Sequence, residues 1–197
     1  MNPAAALELL QAHSPAGETW PIHCRQVARV ARCIADALIE VGSDVDADAI
    51  EAQSLVHDIG RSVNHGYLHG WEGFQLMEKL GHAATGRGCI MHWLKGRSRE
   101  ELLQSKIPGE FLEQVLACLD PPQWQLADSV ISLADSSVAG VQIVPLAFRH
   151  EDLRKRYGAS AWLDRHAELA DQHAVQISAA LGYDVAQILA PLYGTQL

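Results

Sequence analysis

The chain has 197 residues, of which 48% are hydrophobic and 20% charged, a composition that is typical of a globular domain and excludes a disordered chain. With 15 Lys and Arg against 24 Asp and Glu, the net charge of −9 argues against an extended nucleic-acid-binding surface, but permits a small nucleotide held by a metal. No apolar run approaches the ~18–20 residues of a membrane span, and the N-terminus has no basic signal-peptide region. We therefore expect a cytoplasmic protein without a membrane partner. Its four cysteines are expected to be reduced thiols.

Apolar residues recur at spacings of three and four along almost the whole chain, which is the period of helices that pack on a core. In chain order, we predict helices over residues 4–12, 20–41, 46–58, 71–80, 83–95, 98–104, 109–119 and 125–138, one after Arg149, and two more over 159–181 and 184–190. Only residues 141–144 are β-branched enough to suggest a strand, and they are too few to build a sheet. The prediction is an all-α fold in one domain, 1–197, with helices at about 149–190 packed on a core region at about 20–140.

The dipeptide His57-Asp58, at the end of the third predicted helix, is the centre of a candidate metal site. Because adjacent helical residues point roughly 100° apart, both side chains reach one ion only near a helix end. Upstream, His23 lies on the inward face of its helix; downstream, Asp135 interrupts an apolar helix face, where a carboxylate is costly unless it is paired or binds metal. The interpretation requires His23 and Asp135 to lie within about 10 Å of each other.

Imidazole and carboxylate together suit Fe, Mn, Zn or Co better than Ca, with Mg as a further option. A carboxylate such as Asp58 can also bridge two ions. Two ions about 3.5–4 Å apart would clamp a phosphate and lower the pKa of a bound water. His69 and His92 lie between the other candidates in the sequence and are the further histidines considered.

The order His23, His57-Asp58, Asp135, with the string HDIG at 57–60, resembles the HD superfamily of metal-dependent phosphohydrolases, and within it the small stand-alone HDIG-type proteins of prokaryotes. The resemblance covers roughly residues 5–140 and implies an HD-domain helical bundle. It also implies two sets of metal ligands. The first ion would be held by His23, His57, Asp58 and Asp135. The second would share Asp58 and be held by His69 and His92.

The chain departs from the HD-GYP phosphodiesterases of that superfamily. Those domains carry two consecutive histidines where this chain has His92-Trp93, and they continue into a GYP motif that is absent here. The departure argues against cyclic di-GMP cleavage and predicts a weaker second metal.

Other residues near the motif are predicted to act on the substrate. Asp58 or Asp135 would accept a proton from the attacking water, and Arg61 would bind a phosphate oxygen or the transition-state charge. His65 is a candidate for contact with the substrate or with an outer-shell group, and Lys95 for contact with a phosphate. Asp120 and Asp128 are the fallback ligands to Asp135.

The predicted function is hydrolysis of a small, nucleotide-like phosphate monoester or diester. Two alternatives stay open. The first is a di-iron oxygenase that cleaves C–C or C–P bonds, because the same six ligands would serve it. The second is a module that binds a nucleotide without turning it over. The charged segment 149–173 is interpreted as a solvated helix face or a contact surface between molecules. The remaining histidines are interpreted as surface or structural residues: His13, His82, His150, His166 and His173. The sequence determines neither the substrate, the metal nor the oligomeric state.

Overall fold

The computed structural model describes residues 1–104 and 107–195 and is predominantly helical, which confirms the predicted all-α class. The helices in these ranges are α1 (Pro3–Ala12), α2 (Trp20–Glu40), α3 (Ala47–Val56), α4 (His69–Lys79), α5 (Ala83–Leu94), α6 (Arg99–Gln104), α7 (Gly109–Ala117), α8 (Leu126–Ser136), α9 (Leu146–Tyr157), α10 (Ala161–Leu181) and α11 (Ala186–Leu189). Two single-turn 3-10 helices cover Ile59–Ser62 and Ala190–Leu192. In the described part of the chain, no helix is both long and apolar enough to cross a membrane.

Local sequence signals explain where several helices begin and end. The side chain of Asp46 accepts a hydrogen bond from the backbone N–H of Ala49 at 2.9 Å and caps α3. Ser160 caps α10 in the same way, and Gly182 ends that helix in the left-handed conformation. The predicted order of elements is therefore found, with boundaries that shift by a few residues.

Three of these shifts bear on the candidate site. The third helix ends at Val56, two residues earlier than predicted, so His57 and Asp58 follow it. The next helix begins at His69 instead of residue 71, and α9 begins at Leu146, directly after a proline, instead of beyond Arg149. Residues 141–144 contribute to a minimal antiparallel hairpin of β1 (Val138–Ala139) and β2 (Gln142–Ile143).

The buried side chains form two clusters, and α2 belongs to both. One cluster is built mainly from α1, α3, α4, α5 and α7, and it includes Cys24 and Ala28 of α2. The other is built from α8, α10, α11 and the hairpin, together with Val27 and Ile34 of α2. The long amphipathic helix thus joins the two halves, and His23 lies near its N-terminal end.

The glycine of the HDIG string is required by a close backbone approach. A Cβ atom at Gly60 would lie 1.9 Å from the carbonyl oxygen of His69 and 2.5 Å from the amide nitrogen of Gly73. Only glycine therefore allows the turn after His57-Asp58 to pack directly on the first turn of α4. This contact holds His69 beside the dipeptide.

Candidate metal centre

The six side chains predicted as metal ligands meet in one place, although they come from five segments of the chain. They are His23 on α2, His57 and Asp58 after α3, His69 at the start of α4, His92 on α5 and Asp135 on α8. Nε2 of His23 lies 3.1 Å from Oδ1 of Asp135, which is 112 residues away in the sequence. The proximity that the sequence interpretation required is present.

The end of α3 lets two adjacent residues face the same centre. His57 keeps helical backbone angles (φ −55°, ψ −35°), whereas Asp58 has left the helix (φ −102°, ψ 10°). As a result, Nε2 of His57 lies 3.9 Å from Oδ2 of Asp58. The helix-end position expected from the sequence is found.

All four histidines are oriented by the same device, a hydrogen bond between Nδ1 and a backbone carbonyl. The pairs are His23 with Gly140 (2.9 Å), His57 with Ser54 (2.7 Å), His69 with Gly66 (2.8 Å) and His92 with Gly88 (3.1 Å). Because a carbonyl oxygen only accepts, Nδ1 must carry a proton, and in the neutral form of the ring Nε2 then keeps the lone pair that binds a metal. Metal-binding histidines are commonly held in this way.

The small hairpin supplies one of these carbonyls. Gly140 lies between β1 and β2 with a φ of 60°, in the left-handed region that favours glycine. Its carbonyl oxygen accepts the hydrogen bond from Nδ1 of His23. The hairpin therefore positions an imidazole instead of contributing to a larger sheet.

We call Asp58, His69 and His92 the tight group. Oδ1 of Asp58 lies 3.1 Å from Nε2 of His69 and 3.4 Å from Nε2 of His92, and the two nitrogens are 3.1 Å apart. Two atoms that bind one ion at about 2.1 Å are about 3.0–3.4 Å apart for ligand angles between a right angle and tetrahedral. The tight group therefore has the spacing of three ligands on a single divalent ion.

We call His23, His57, Asp58 and Asp135 the wide group. Nε2 of His57 lies 3.8 Å from Oδ1 of Asp135, and ligand atoms of His23, His57 and Asp58 all lie within 4.8 Å of one another. Nε2 of His57 is fully buried and makes no hydrogen bond to any described residue, which is costly for a lone pair. A bound cation would satisfy it, so these donors also fit a divalent metal.

Burial and neighbouring charges leave His57, His92, Asp58 and Asp135 in the protonation states that metal binding requires. Burial lowers the pKa of His57 to about 3 and also lowers that of His92, so both rings are neutral at neutral pH. Burial alone would raise the pKa of Asp58, but that pKa lies well below its ordinary value, and the guanidinium of Arg61, with Nε 2.6 Å from Oδ2, holds the carboxylate in its ionised form. The same holds for Asp135, where the opposing effect comes first from Lys95. Neutral imidazoles beside ionised carboxylates are the metal-binding forms.

Two cations lie beside the carboxylates. Nε of Arg61 lies 2.6 Å from Oδ2 of Asp58, and Nζ of Lys95 lies 2.6 Å from Oδ2 of Asp135. Lys95 follows the last residue of α5 and has a left-handed φ of 54°, so it does not continue the helix face of His92. Both cations are at the site, and their contact with a phosphate stays a prediction.

The remaining candidates lie elsewhere. His65 is exposed and does not line the cavity next to the ligand cluster, whereas Tyr67 of the same loop does. Asp128 is buried in an ion pair with Arg87, whose Nη2 and Nε lie 2.7 Å and 2.9 Å from its two oxygens. Asp120 is exposed. Of the three aspartates considered, Asp135 is the one that lies beside the histidines.

The ligand cluster opens into a cavity of about 920 Å³. Part of the cavity lining comes from α9 and α10, through Arg149, Leu153, Tyr157, Trp162, Arg165 and His166. The interpretation of segment 149–173 as a solvated helix face or a contact surface between molecules is therefore incomplete: Tyr157 and Trp162 are exposed as predicted, but these residues also line the cavity, and His166 is a cavity residue. The sequence pattern carried no signal for this, because an arginine that faces a cavity has the same spacing as one that faces solvent.

Comparison with known proteins identifies a relative without assigning an activity. The chain is 27% identical over 137 residues to a protein of Methanocaldococcus jannaschii that is named only as uncharacterized, and the match covers 69% of this chain and 76% of that protein. No protein-family model matches the chain. No solved structure matches it significantly. Functional inference therefore depends on the chemistry of the site.

Proposed function

We propose that this protein is a metal-dependent phosphohydrolase of the HD type that cleaves a small phosphate ester. The observation that carries the proposal is that Asp58 belongs to both ligand groups. Its Oδ1 faces His69 and His92, and its Oδ2 lies on the side of His57. A carboxylate shared in this way would contribute to the binding of an ion in each group, and two ions would supply the charge that displacement at phosphorus needs.

The donor set favours a transition metal. Four imidazoles and two carboxylates suit Fe, Mn, Zn or Co, whereas Mg and Ca prefer sites made of oxygen ligands alone. Ions bound there would polarise a phosphate oxygen and lower the pKa of a bound water, which generates the nucleophile.

The protein side chains contribute charge and orientation. Asp135 stays ionised at neutral pH and Lys95 holds its Oδ2, so Oδ1 is the atom that would bind a metal or accept a proton from the attacking water, with Asp58 as the alternative proton acceptor. Arg61 lines the cavity, and only its Nε is hydrogen-bonded within the described residues. Its terminal N–H groups can bind phosphate oxygens and stabilise charge that develops in the transition state.

The cavity indicates the size of the substrate. Its volume of about 920 Å³ is near the upper end of the range for small-molecule sites, roughly 300–1,000 Å³. A phosphate ester with an organic group as large as a nucleoside fits that volume.

The test is a screen for phosphate release from monoesters and diesters with each candidate metal, combined with metal analysis of the protein. We expect Asp58→Asn to lower kcat/KM by a factor on the order of 10³ or more, and to remove bound metal from both groups. Asp164→Asn is the matched control, since Asp164 is exposed, pairs with Arg154 and does not line the cavity.

Three results would contradict the proposal. The first is the absence of phosphate release with every metal. The second is a reaction that needs dioxygen and two irons, which would indicate the oxygenase. The third is nucleotide binding without turnover, which would indicate a binding module.

A further inference from the structure

The cavity holds more basic than acidic side chains. The basic residues are Arg61, Lys95, Arg97, Arg149 and Arg165, and the acidic residues are Asp58, Glu101 and Asp135. Each of the three carboxylates pairs with one cation, in the pairs Asp58–Arg61, Asp135–Lys95 and Glu101–Arg165. Arg97 and Arg149 are therefore the two cations that have no carboxylate partner among the cavity residues, in a protein whose net charge is −9.

Arg97 is buried, and the nearby carboxylate of Glu101, which acts on its charge, forms its ion pair with Arg165 instead. The side chain of Arg97 forms no ion pair with any described residue, although the residue is only 7% exposed. Its guanidinium carbon lies 3.6 Å from the ring centroid of Trp162, and Nη2 donates to the carbonyl oxygen of Trp162 at 3.0 Å. Burial lowers its pKa to about 10, so it remains charged at neutral pH. A buried cation of this kind is an attractive site for an anion.

Arg149 and His166 line the same cavity, and each carries a further nitrogen without a hydrogen-bond partner among the described residues. The ion pair of Arg149 is a long one, 3.4 Å from Nη1 to Oδ2 of Asp152, and that oxygen also accepts from Arg156. Nε of Arg149, Nε2 of His166 and Nε of Arg97 are all buried, and none has a hydrogen-bond partner among the described residues. Three residues from separate parts of the chain thus line one cavity, and each keeps a buried nitrogen without a hydrogen-bond partner among the described residues.

We propose that Arg97, Arg149 and His166 form a second anion-binding subsite, which holds a negatively charged group of the substrate away from the phosphate at the metal centre. The inference rests on the proposed function and narrows its substrate class to phosphate esters that carry a second anionic group. Arginine suits this role because its planar group binds phosphate or carboxylate through two parallel hydrogen bonds. The apolar cavity residues Leu153 and Leu163 would contact the organic part between the two charges.

The experiment compares two series of esters that differ only in the second charge. Monophosphates and bisphosphates of butanediol, pentanediol and hexanediol are tested with the metal-loaded full-length protein. We expect the bisphosphate of the best chain length to have a kcat/KM at least about tenfold above that of its monophosphate. In Arg149→Gln and Arg97→Gln this ratio should fall towards one, whereas Arg149→Lys should keep part of it.

Arg154→Gln is the control, because Arg154 also lies on α9 but is half exposed, pairs with Asp164 and does not line the cavity. It should keep the ratio of the unmodified protein. The subsite is overturned if the unmodified protein shows no preference at any chain length, or if Arg154→Gln lowers the ratio as much as Arg149→Gln does.

The two proposals can fail separately. If neither ester is hydrolysed with any metal, the proposed function is wrong. The affinities of the protein for the two unreacted esters are then measured by calorimetry. Tighter binding of the bisphosphate that is lost in Arg149→Gln would still support the subsite. Equal affinities of the two esters would overturn it.

Discussion

The tight and wide groups use the same ligand types but are assembled differently. In the tight group the ligand atoms are 3.1–3.4 Å apart, and its two histidines come from α4 and α5, which pack extensively on each other. In the wide group the distances reach 3.8 and 3.9 Å, and its ligands come from α2, α8 and the end of α3. The tight group has the spacing of adjacent ligands on one ion, whereas the wide group has the spacing of ligands that lie further apart around an ion.

The cations sharpen this difference. Lys95 occupies one oxygen of Asp135 and Arg61 occupies Oδ2 of Asp58, which is the oxygen nearer to the wide group. A metal that enters the wide group must therefore compete with both positive charges. We expect the tight group to bind its ion first, the opposite of the weaker second metal that the His92-Trp93 departure predicts.

The largest effect is expected from removing Lys95, the cation that pairs with Asp135. Lys95→Met leaves the buried carboxylate of Asp135 without its partner, and the free energy of unfolding of the metal-free protein should fall by about 3–5 kcal/mol. Because a metal replaces the lost charge, it should stabilise the variant more than the unmodified protein. Urea unfolding with metal and with a chelator measures both effects. Lys155→Met removes an exposed lysine as the control, and the idea fails if the two variants respond alike.

An intermediate effect should separate the two groups directly. His23→Gln should weaken only the ion of the wide group, and His69→Gln only that of the tight group. Each substitution should lower the metal affinity by about 10–100-fold or more. Even the loss of a residue that only hydrogen-bonds to a metal ligand lowers the affinity by that factor. Calorimetric titration of the metal-free proteins would show two binding phases in the unmodified protein and one altered phase in each variant. A single phase that both substitutions weaken equally would show that only one ion binds.

The smallest effect concerns a buried histidine outside both groups. His173 stacks on Trp124 with ring centroids 5.1 Å apart, and burial lowers its pKa to about 4. Between about pH 6.5 and pH 4 the unfolded chain binds a proton at His173 that the folded protein does not. The free energy of unfolding therefore falls as the pH decreases through this window, by up to about 1.4 kcal/mol per pH unit from this group.

His173→Gln should remove that part of the slope and leave the pH dependence above about pH 6.5 unchanged. His57 and His166, whose pKa values burial lowers to about 3 and about 2, contribute with the same sign, so part of the slope should remain. Urea unfolding of the metal-free protein at several pH values measures the difference. A variant with the slope of the unmodified protein would contradict the assignment to His173.

The parts of the site that could be predicted are those that leave a local signal. The HDIG string and the polar residues on apolar helix faces pointed to His23, the His57-Asp58 pair and Asp135. The left-handed backbone of Lys95 and the Gly140 carbonyl that holds His23 could not be predicted, because both depend on contacts across the chain. The same reason explains why Arg149 and His166 were interpreted as surface or structural residues.

The amino-acid sequence by itself determined the helical class, the order of the elements and the residue types able to bind a metal, because periodicity and side-chain chemistry are local properties. Only the tertiary structure decided which carboxylate oxygen faces which imidazole, which cations compete for it, and which arginines face a cavity. Those outcomes depend on distances between residues as far apart as His23 and Asp135, and a linear pattern contains no such distances.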